Sequence, residues 1–102
     1  MKYVVRWHER PHGSAKEYEA AQKRILGLMQ HWQPPGEISF HQFLVRVGTY
    51  GGYAVIETSD PSAIHQMTST FTVFAFSVEP VIEIADALAA EGAADAWRDA
   101  VS

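Results

Sequence analysis

The fold is decided by residues 52–81, which read GYAVIETSDPSAIHQMTSTFTVFAFSVEPV. An alternating run at Tyr53–Thr58 is typical of a strand, and it is followed by Ser59-Asp60-Pro61, a cap with proline at the first helical position. Apolar residues then recur at helical spacing over Pro61–Phe71, and a second alternating run covers Thr72–Val81. This stretch predicts a strand, a helix and a second strand.

The N-terminal half of the chain shows the same order with one additional strand. Ser14 and Glu17 form a capping box at the start of an apolar helical stripe, which Pro34-Pro35-Gly36 ends. The order β-α-β-β-α-β predicts a ferredoxin-like α+β sandwich, with a four-stranded antiparallel sheet and both helices on one face. The predicted elements are strands at Lys2–His8, Ile38–Val47, Tyr53–Thr58 and Thr72–Val81 and helices at Ser14–Trp32 and Pro61–Phe71.

A third, alanine-rich helical stripe follows the fourth strand, from Ile84 to Val101. Glycine costs about 1 kcal/mol relative to alanine inside a helix, so we expect a kink or break at Gly92. Trp97 lies in this stripe, and we expect it to contact another subunit.

Length and composition limit the classes of function. The 102 residues predict a single domain over 1–102. The net charge is -4 and no basic cluster is present, so we expect no nucleic-acid partner and no membrane partner. Cysteine is absent, which excludes disulfides and thiolate chemistry. With neither a signal peptide nor a membrane span in the sequence, we expect a cytoplasmic protein.

Both faces of the predicted sheet carry apolar residues. In the fourth strand, for example, Phe74 and Phe76 alternate with Val73 and Ala75. Two helices can cover only one face, and the other would expose more apolar surface than a soluble monomer usually tolerates. We therefore expect a homodimer, in which a second copy of the sheet covers the open face and the C-terminal helix extends the contact.

Three segments resemble a known group of proteins. They are Tyr3-Val4-Val5-Arg6-Trp7, Gly52-Tyr53-Ala54-Val55-Ile56-Glu57-Thr58 and Phe76-Ser77-Val78-Glu79-Pro80-Val81. With the order of elements, they resemble the dimeric α/β-barrel superfamily, and more narrowly a small-domain branch labelled only as a domain of unknown function. The resemblance implies a dimer of ferredoxin-like subunits with a pocket beside each sheet. Members of the superfamily include cofactor-independent monooxygenases, lactone isomerases, polyketide cyclases and haem-binding proteins.

Polar residues within apolar strands are the candidates for chemistry. Histidine titrates near neutrality and can move a proton, and arginine can stabilise an enolate or phenolate. The competing interpretation places strand-end charges at a solvated rim or in cross-strand pairs. The predicted catalytic residues are His8, His41 and Arg6, and the predicted substrate-binding residues are Trp7, Tyr53, Arg46 and Glu57.

Aromatic side chains are the candidates for lining a substrate cavity, and core packing explains most of them equally well. The aromatic candidates are Trp7, Trp32, Trp97, Tyr3, Tyr50 and Tyr53.

The five histidines do not form a metal motif. His8 and His12 have the spacing His-x3-His, but this segment is a strand end and a proline-bent loop, where the spacing does not bring two ligands together. His41 and His65 have no recognisable second ligand for haem. We therefore expect no metal and no cofactor.

The RNA-recognition module has the same order of elements. Its signature requires a basic residue and aromatic residues that stack on bases, where this chain has Gly51, Val55 and Thr58. With the acidic charge of the chain, this difference argues against RNA binding.

Two hypotheses of function follow. The first is a homodimer that holds a small apolar or aromatic molecule in a pocket by the sheet and, if it is an enzyme, acts as a cofactor-free oxygenase, isomerase or cyclase that uses histidine acid–base chemistry. The second is a non-catalytic ligand-binding or assembly module. The position of His8, His41 and Arg6 relative to an open cavity separates the two.

Overall fold

A computed structural model describes residues 1–102. The order of elements confirms the predicted ferredoxin-like α+β fold, with a third helix at the C-terminus. The elements are strands β1 (Lys2–Glu9), β2 (Ser39–Val45), β3 (Gly51–Glu57) and β4 (Phe74–Val81) and helices α1 (Ala15–Met29), α2 (Pro61–Thr70) and α3 (Ile84–Val101).

The four strands form one antiparallel sheet in the order β2-β3-β1-β4. β1 lies in the centre, where Val5 is opposite Ala54 on one side and Val78 on the other. β2 and β4 are the two edge strands. Residues that are directly opposite in an antiparallel pair point to the same face, so this register assigns every strand residue to one of two faces.

Both predicted helix caps are present. The hydroxyl of Ser14 accepts a hydrogen bond from the Glu17 N–H at 3.2 Å, and the Asp60 carboxylate accepts one from the Ser62 N–H at 3.0 Å. The Glu17 carboxylate accepts a hydrogen bond from the N–H of Gly13 at 2.5 Å. In a standard capping box the donor is the N–H of the cap residue, here Ser14, so this contact lies one residue earlier in the chain. These contacts satisfy free N–H groups in the first turns of α1 and α2.

Helices α1 and α2 cover one face of the sheet, as predicted. The side chains of Val5 and Ile56 are completely or almost completely buried there. Ile25 of α1 and Ile64 and Met67 of α2 belong to the same buried cluster. We call this side the helix-covered face.

A β-bulge in β2 changes the faces that simple alternation predicts for this strand. The register with β3 shifts between Phe40 and Gln42, so Phe40 lies opposite Ile56 and Phe43 lies opposite Ala54. Both phenylalanines therefore point to the helix-covered face, although alternation assigns them to opposite faces.

The other face of the sheet, which we call the open face, is not the continuous apolar surface that the sequence predicts. Along β1 it carries Lys2, Val4, Arg6 and His8, because alternate residues share a face. The neighbouring strands contribute a similar mixture of apolar and polar side chains. From β2, β3 and β4 these are Gln42, Leu44, Tyr53, Val55, Glu57, Ala75, Ser77, Glu79 and Val81.

Helix α3 is continuous from Ile84 to Val101, so the break expected at Gly92 is absent. None of its residues is buried. A Cβ added at Gly92 would meet no atom within 4 Å, so no close contact in the structure requires glycine at this position. No helix of the protein combines the length and the apolar composition that a bilayer span requires.

Candidate binding site between the sheet and the helices

A cavity of about 220 Å³ lies between the helix-covered face and the two helices. Eight of its sixteen lining residues are aromatic, seven are aliphatic, and the last is Gly51. Its walls include Trp7 of β1, Met29 of α1 and Met67 of α2. No charged side chain lines it, so the cavity favours an apolar occupant.

Trp7 forms the floor of the cavity because of its position in β1. It lies opposite Gly52 on one side and Phe76 on the other. A Cβ added at Gly52 would lie 2.8 Å from the Trp7 ring and 2.0 Å from the main-chain oxygen of Leu44. Glycine at position 52 therefore leaves the space that the indole ring occupies.

Aromatic side chains pack against one another along one wall of the cavity. The Trp32 ring lies 5.0 Å from that of Phe71, and the Phe43 ring lies 5.2 Å from that of Trp7. Phe40, turned inward by the bulge, lies 5.7 Å from Phe43. Such pairs are favourable beyond the area that they bury, so this wall is ordered without a ligand.

The cavity opens to solvent between α1 and β2. Leu26 and Val45, which line it, are 56% and 65% exposed. Met29 and Phe43 are exposed to a lesser degree on the same two elements. The apolar rim gives a small molecule a route to the cavity that does not require the helices to separate.

Only one of the seven predicted site residues, Trp7, lines the cavity. Arg6, His8, Tyr53 and Glu57 lie on the open face, since each alternates with a residue of the helix-covered face. Of the other aromatic candidates, Trp32 and Tyr50 line the cavity, whereas Tyr3, Tyr53 and Trp97 do not.

On the open face, His41 and Glu57 form a close pair. The Nε2 atom of His41 lies 2.8 Å from Oε1 of Glu57, and both side chains are about half exposed. The hydrogen bond from His41 is the main cause that lowers the pKa of Glu57 below its ordinary value. The pair lies at the end of the sheet where β1 begins, away from His8 at the other end of the same strand.

Lys2 and Glu83 form an ion pair at the same end of the sheet. The contact with Glu83 raises the pKa of Lys2, and the contact with Lys2 lowers the pKa of Glu83. Glu83 precedes α3 directly, so this pair connects the start of α3 to β1.

Arg6, His8, Tyr53 and Arg46 lie near the opposite end of the open face. Arg6 is directly opposite Tyr53, and His8 is opposite Gly51. A terminal nitrogen of Arg46 lies 2.9 Å from where a Cβ on Gly51 would be, which places its guanidinium over β3 beside His8. The structure thus brings four of the predicted site residues together, but on the face that has no cavity.

The residues that sequence reasoning did not single out are the phenylalanines of the cavity and the aliphatic residues of its rim. Phe71 and Phe74 were expected only as apolar positions, and Leu26 stands outside the predicted stripe of α1. The structure contains no group of three or more His, Cys, Asp or Glu side chains that would hold a metal ion.

Comparison with known proteins assigns the chain at the level of the family. Residues 1–95 match the family model described as a domain of unknown function, DUF3303. The chain belongs to this family. The match includes every strand, α1, α2 and the first part of α3 of this DUF3303 protein. No curated protein matches the chain.

Proposed function

We propose that this DUF3303 protein binds a small apolar or aromatic molecule in the cavity between the sheet and the helices. The observation that carries the proposal is an open cavity of about 220 Å³ whose lining has eight aromatic residues and no charged one. A dry apolar cavity of about 150 Å³ is large enough for benzene, so one or two fused rings match this volume.

The expected affinity is modest. A ten-carbon bicyclic compound that gains about 0.6 kcal/mol per non-hydrogen atom binds with a dissociation constant on the order of 10–100 µM. Naphthalene and indole are therefore suitable probes. Benzoate has a similar ring but carries a charge that the lining does not pair, so it should bind much more weakly.

The test is isothermal titration calorimetry with a variant that blocks the rim. Leu26→Trp places a larger ring at the exposed entrance without entering the core, and we expect it to weaken naphthalene binding at least tenfold. Ala20→Trp adds the same ring to an exposed position on the other side of α1 and should leave binding unchanged. Equal affinities in the two variants, or no binding to the unmodified protein, would contradict the proposal.

Catalysis by a cofactor-free oxygenase, isomerase or cyclase is the less supported candidate. His8, His41 and Arg6 do not line the cavity, so a substrate held there is separated from them by the sheet. Replacing His8 and His41 separately by alanine and assaying anthrone-like and lactone substrates tests this candidate. Turnover that depends on either histidine would support an active site on the open face.

We also propose that the protein is a homodimer in which a second copy covers the open face. The exposed apolar residues of that face, among them Leu44 and Tyr53, support the proposal together with the unburied α3. Sedimentation velocity at micromolar concentration is the direct measurement, and a stable lone subunit would contradict it.

A further inference from the structure

Helix α3 extends away from the rest of the protein. The radius of gyration is 18.4 Å, whereas a compact chain of this length has about 13 Å, and the longest dimension is 62 Å. Ile84 and Leu88 are 73% and 61% exposed. In proteins most of the stability of a helix comes from packing of one of its faces, so a helix of 18 residues with no buried side chain needs a surface to pack on.

One side of α3 has a distinct order of side chains. At 100° per residue, five residues fall within an arc of about 80°. The first two are apolar and the last three are acidic. In chain order they are Ile84, Leu88, Glu91, Asp95 and Asp99.

The open face of the sheet has the complementary order along the same direction. Near the start of β1 it presents Val4 beside Val55, flanked by the paired side chains of Lys2 and Glu57 and by Glu79, and further along it presents Arg6, His8 and Arg46. Arg6 and Arg46 take part in none of the ion pairs of the structure. Two guanidinium groups without a carboxylate partner at one end of the sheet provide a surface for carboxylates.

The dimensions of the two surfaces agree. With a rise of 1.5 Å per residue α3 is about 27 Å long, and with about 3.3 Å per residue β1 is about 26 Å long. Leu88 lies about 6 Å from the start of the helix, and Val4 lies about 7 Å from Lys2. Asp95 is paired with Arg98, but Glu91 and Asp99 lie about 11 Å and about 23 Å along α3, and they flank the positions of Arg6 at about 13 Å and His8 at about 20 Å along β1.

We propose that α3 of one copy lies along the open face of a second copy, with its acidic half on Arg6, His8 and Arg46, and that the second copy does the same in return. The inference rests on the proposed homodimer and replaces sheet-to-sheet packing by an exchange of helices. Residues 84–102 contain four carboxylate side chains and one guanidinium, so the helix carries a net charge of -3. A partner surface with two free arginines complements this charge.

The area that the exchange would bury follows from the dimensions of α3. A helix about 27 Å long and about 10 Å wide covers roughly 270 Å². Two exchanged helices, counted on both subunits, bury roughly 1,100 Å², which is close to the lower limit for stable interfaces.

Charge reversal with sedimentation velocity tests the exchange. The helix variant Glu91→Arg/Asp99→Arg and the sheet variant Arg6→Glu each place like charges together, and each should raise the dimer dissociation constant on the order of 100-fold. Mixing the two variants in equal amounts should restore a dimer. In the mixed dimer the reversed helix lies on the reversed sheet and the native helix lies on the native sheet, so opposite charges meet at both contacts. Asp86→Arg reverses one charge on another side of α3 and should leave the dimer intact.

The full-length variant Ile84→Asp/Leu88→Asp, which places two charges at the apolar end of this side of α3, separates the possible arrangements. We expect it to be monomeric, with circular dichroism showing a folded sheet and naphthalene binding retained. A dimer as tight as that of the unmodified chain would overturn the helix exchange and leave the homodimer standing. An unmodified chain that is monomeric, with the α3 amides protected from hydrogen exchange, would show that α3 folds back on its own sheet, and it would overturn both proposals of assembly. A mixture of the two reversed variants that stays monomeric would also overturn the exchange.

Discussion

Val5 and Trp7 lie in the apolar layer under α1 and α2, whereas Arg6 and His8, which alternate with them in β1, lie on the open face. The first side has a cavity and no charged lining residue. The second has no cavity, two unpaired arginines and a histidine–glutamate pair. One strand therefore serves two surfaces, one suited to holding an apolar molecule and one suited to contact with an acidic partner.

The two faces therefore suit two different roles, ligand binding and contact between subunits, which the sequence alone does not distinguish. An apolar ligand needs desolvated walls and few polar groups, which the helix-covered face provides. An interface between subunits tolerates charges when opposite charges meet and water is excluded at its centre. The first prediction below compares the two faces directly, the second tests the helix-covered face and the third tests the open face, in order from the largest expected effect to the smallest.

The largest contrast is between Ile56 and Leu44, which face opposite sides of the sheet. Ile56 is 0% exposed and Leu44 is 53% exposed. Ile56→Ala should lower the free energy of unfolding by about 2–5 kcal/mol, because it leaves a void in a packed core. Leu44→Ala removes the same number of carbons and should cost less than about 1 kcal/mol. Urea denaturation measures both, and equal losses would mean that the open face is packed as tightly as the core.

The second contrast uses two glycines. A Cβ at Gly52 would meet main-chain and indole atoms, whereas a Cβ at Gly27, inside α1, would meet nothing within 4 Å. Gly52→Ala should destabilise the protein by about 1–3 kcal/mol and displace Trp7, so naphthalene binding should weaken as well. Gly27→Ala should stabilise it by about 0.5–1 kcal/mol, since alanine loses less backbone entropy in a helix. Thermal unfolding that changes in the same direction for both variants would contradict the account of the cavity floor.

The smallest expected effect is the pH dependence of the open face. The hydrogen bond from His41 lowers the pKa of Glu57, so Glu57 stabilises the folded chain above its ordinary pKa of 4.5. That contribution is lost as the pH falls through the lower pKa of the folded state. The difference in unfolding free energy between the unmodified protein and Glu57→Gln should therefore shrink on acidification below pH 4.5.

Glu19→Gln is the control for the pH experiment, because Glu19 is an exposed residue of α1 that makes no ion pair in the structure. Its difference from the unmodified protein should stay constant across the same range. A Glu57→Gln difference that also stays constant would mean that the pair with His41 does not contribute to stability.

The fold could be predicted from the sequence because its signals are local. Ser14 with Glu17, and Asp60 before Pro61, set the starts of two helices by hydrogen bonds within a few residues. The inward turn of both Phe40 and Phe43 could not be predicted in this way, because the bulge depends on pairing with β3 and not on β2 alone. The continuity of α3 through Gly92 was also missed, since the difference in helix propensity between glycine and alanine, about 1 kcal/mol, is too small to end a helix by itself.

The site was harder to predict than the fold. Alternation along β1 already separates Trp7 from Arg6 and His8, so the sequence contained the signal that these residues do not share a cavity. The cavity itself depends on how α1 and α2 pack against the sheet. The spacing of apolar residues shows which positions are covered, but it does not show where the covering side chains leave a gap.

The most direct test of the division between the two faces is a two-dimensional ¹H–¹⁵N spectrum of the labelled protein, recorded during a titration with naphthalene. We predict saturable shifts at amides around the cavity, such as those of Ala54 and Phe71, and no shifts along α3 or at the side-chain Nε–H groups of Arg6 and Arg46 on the open face. Shifts concentrated on the open face, or a spectrum that does not respond, would contradict the account.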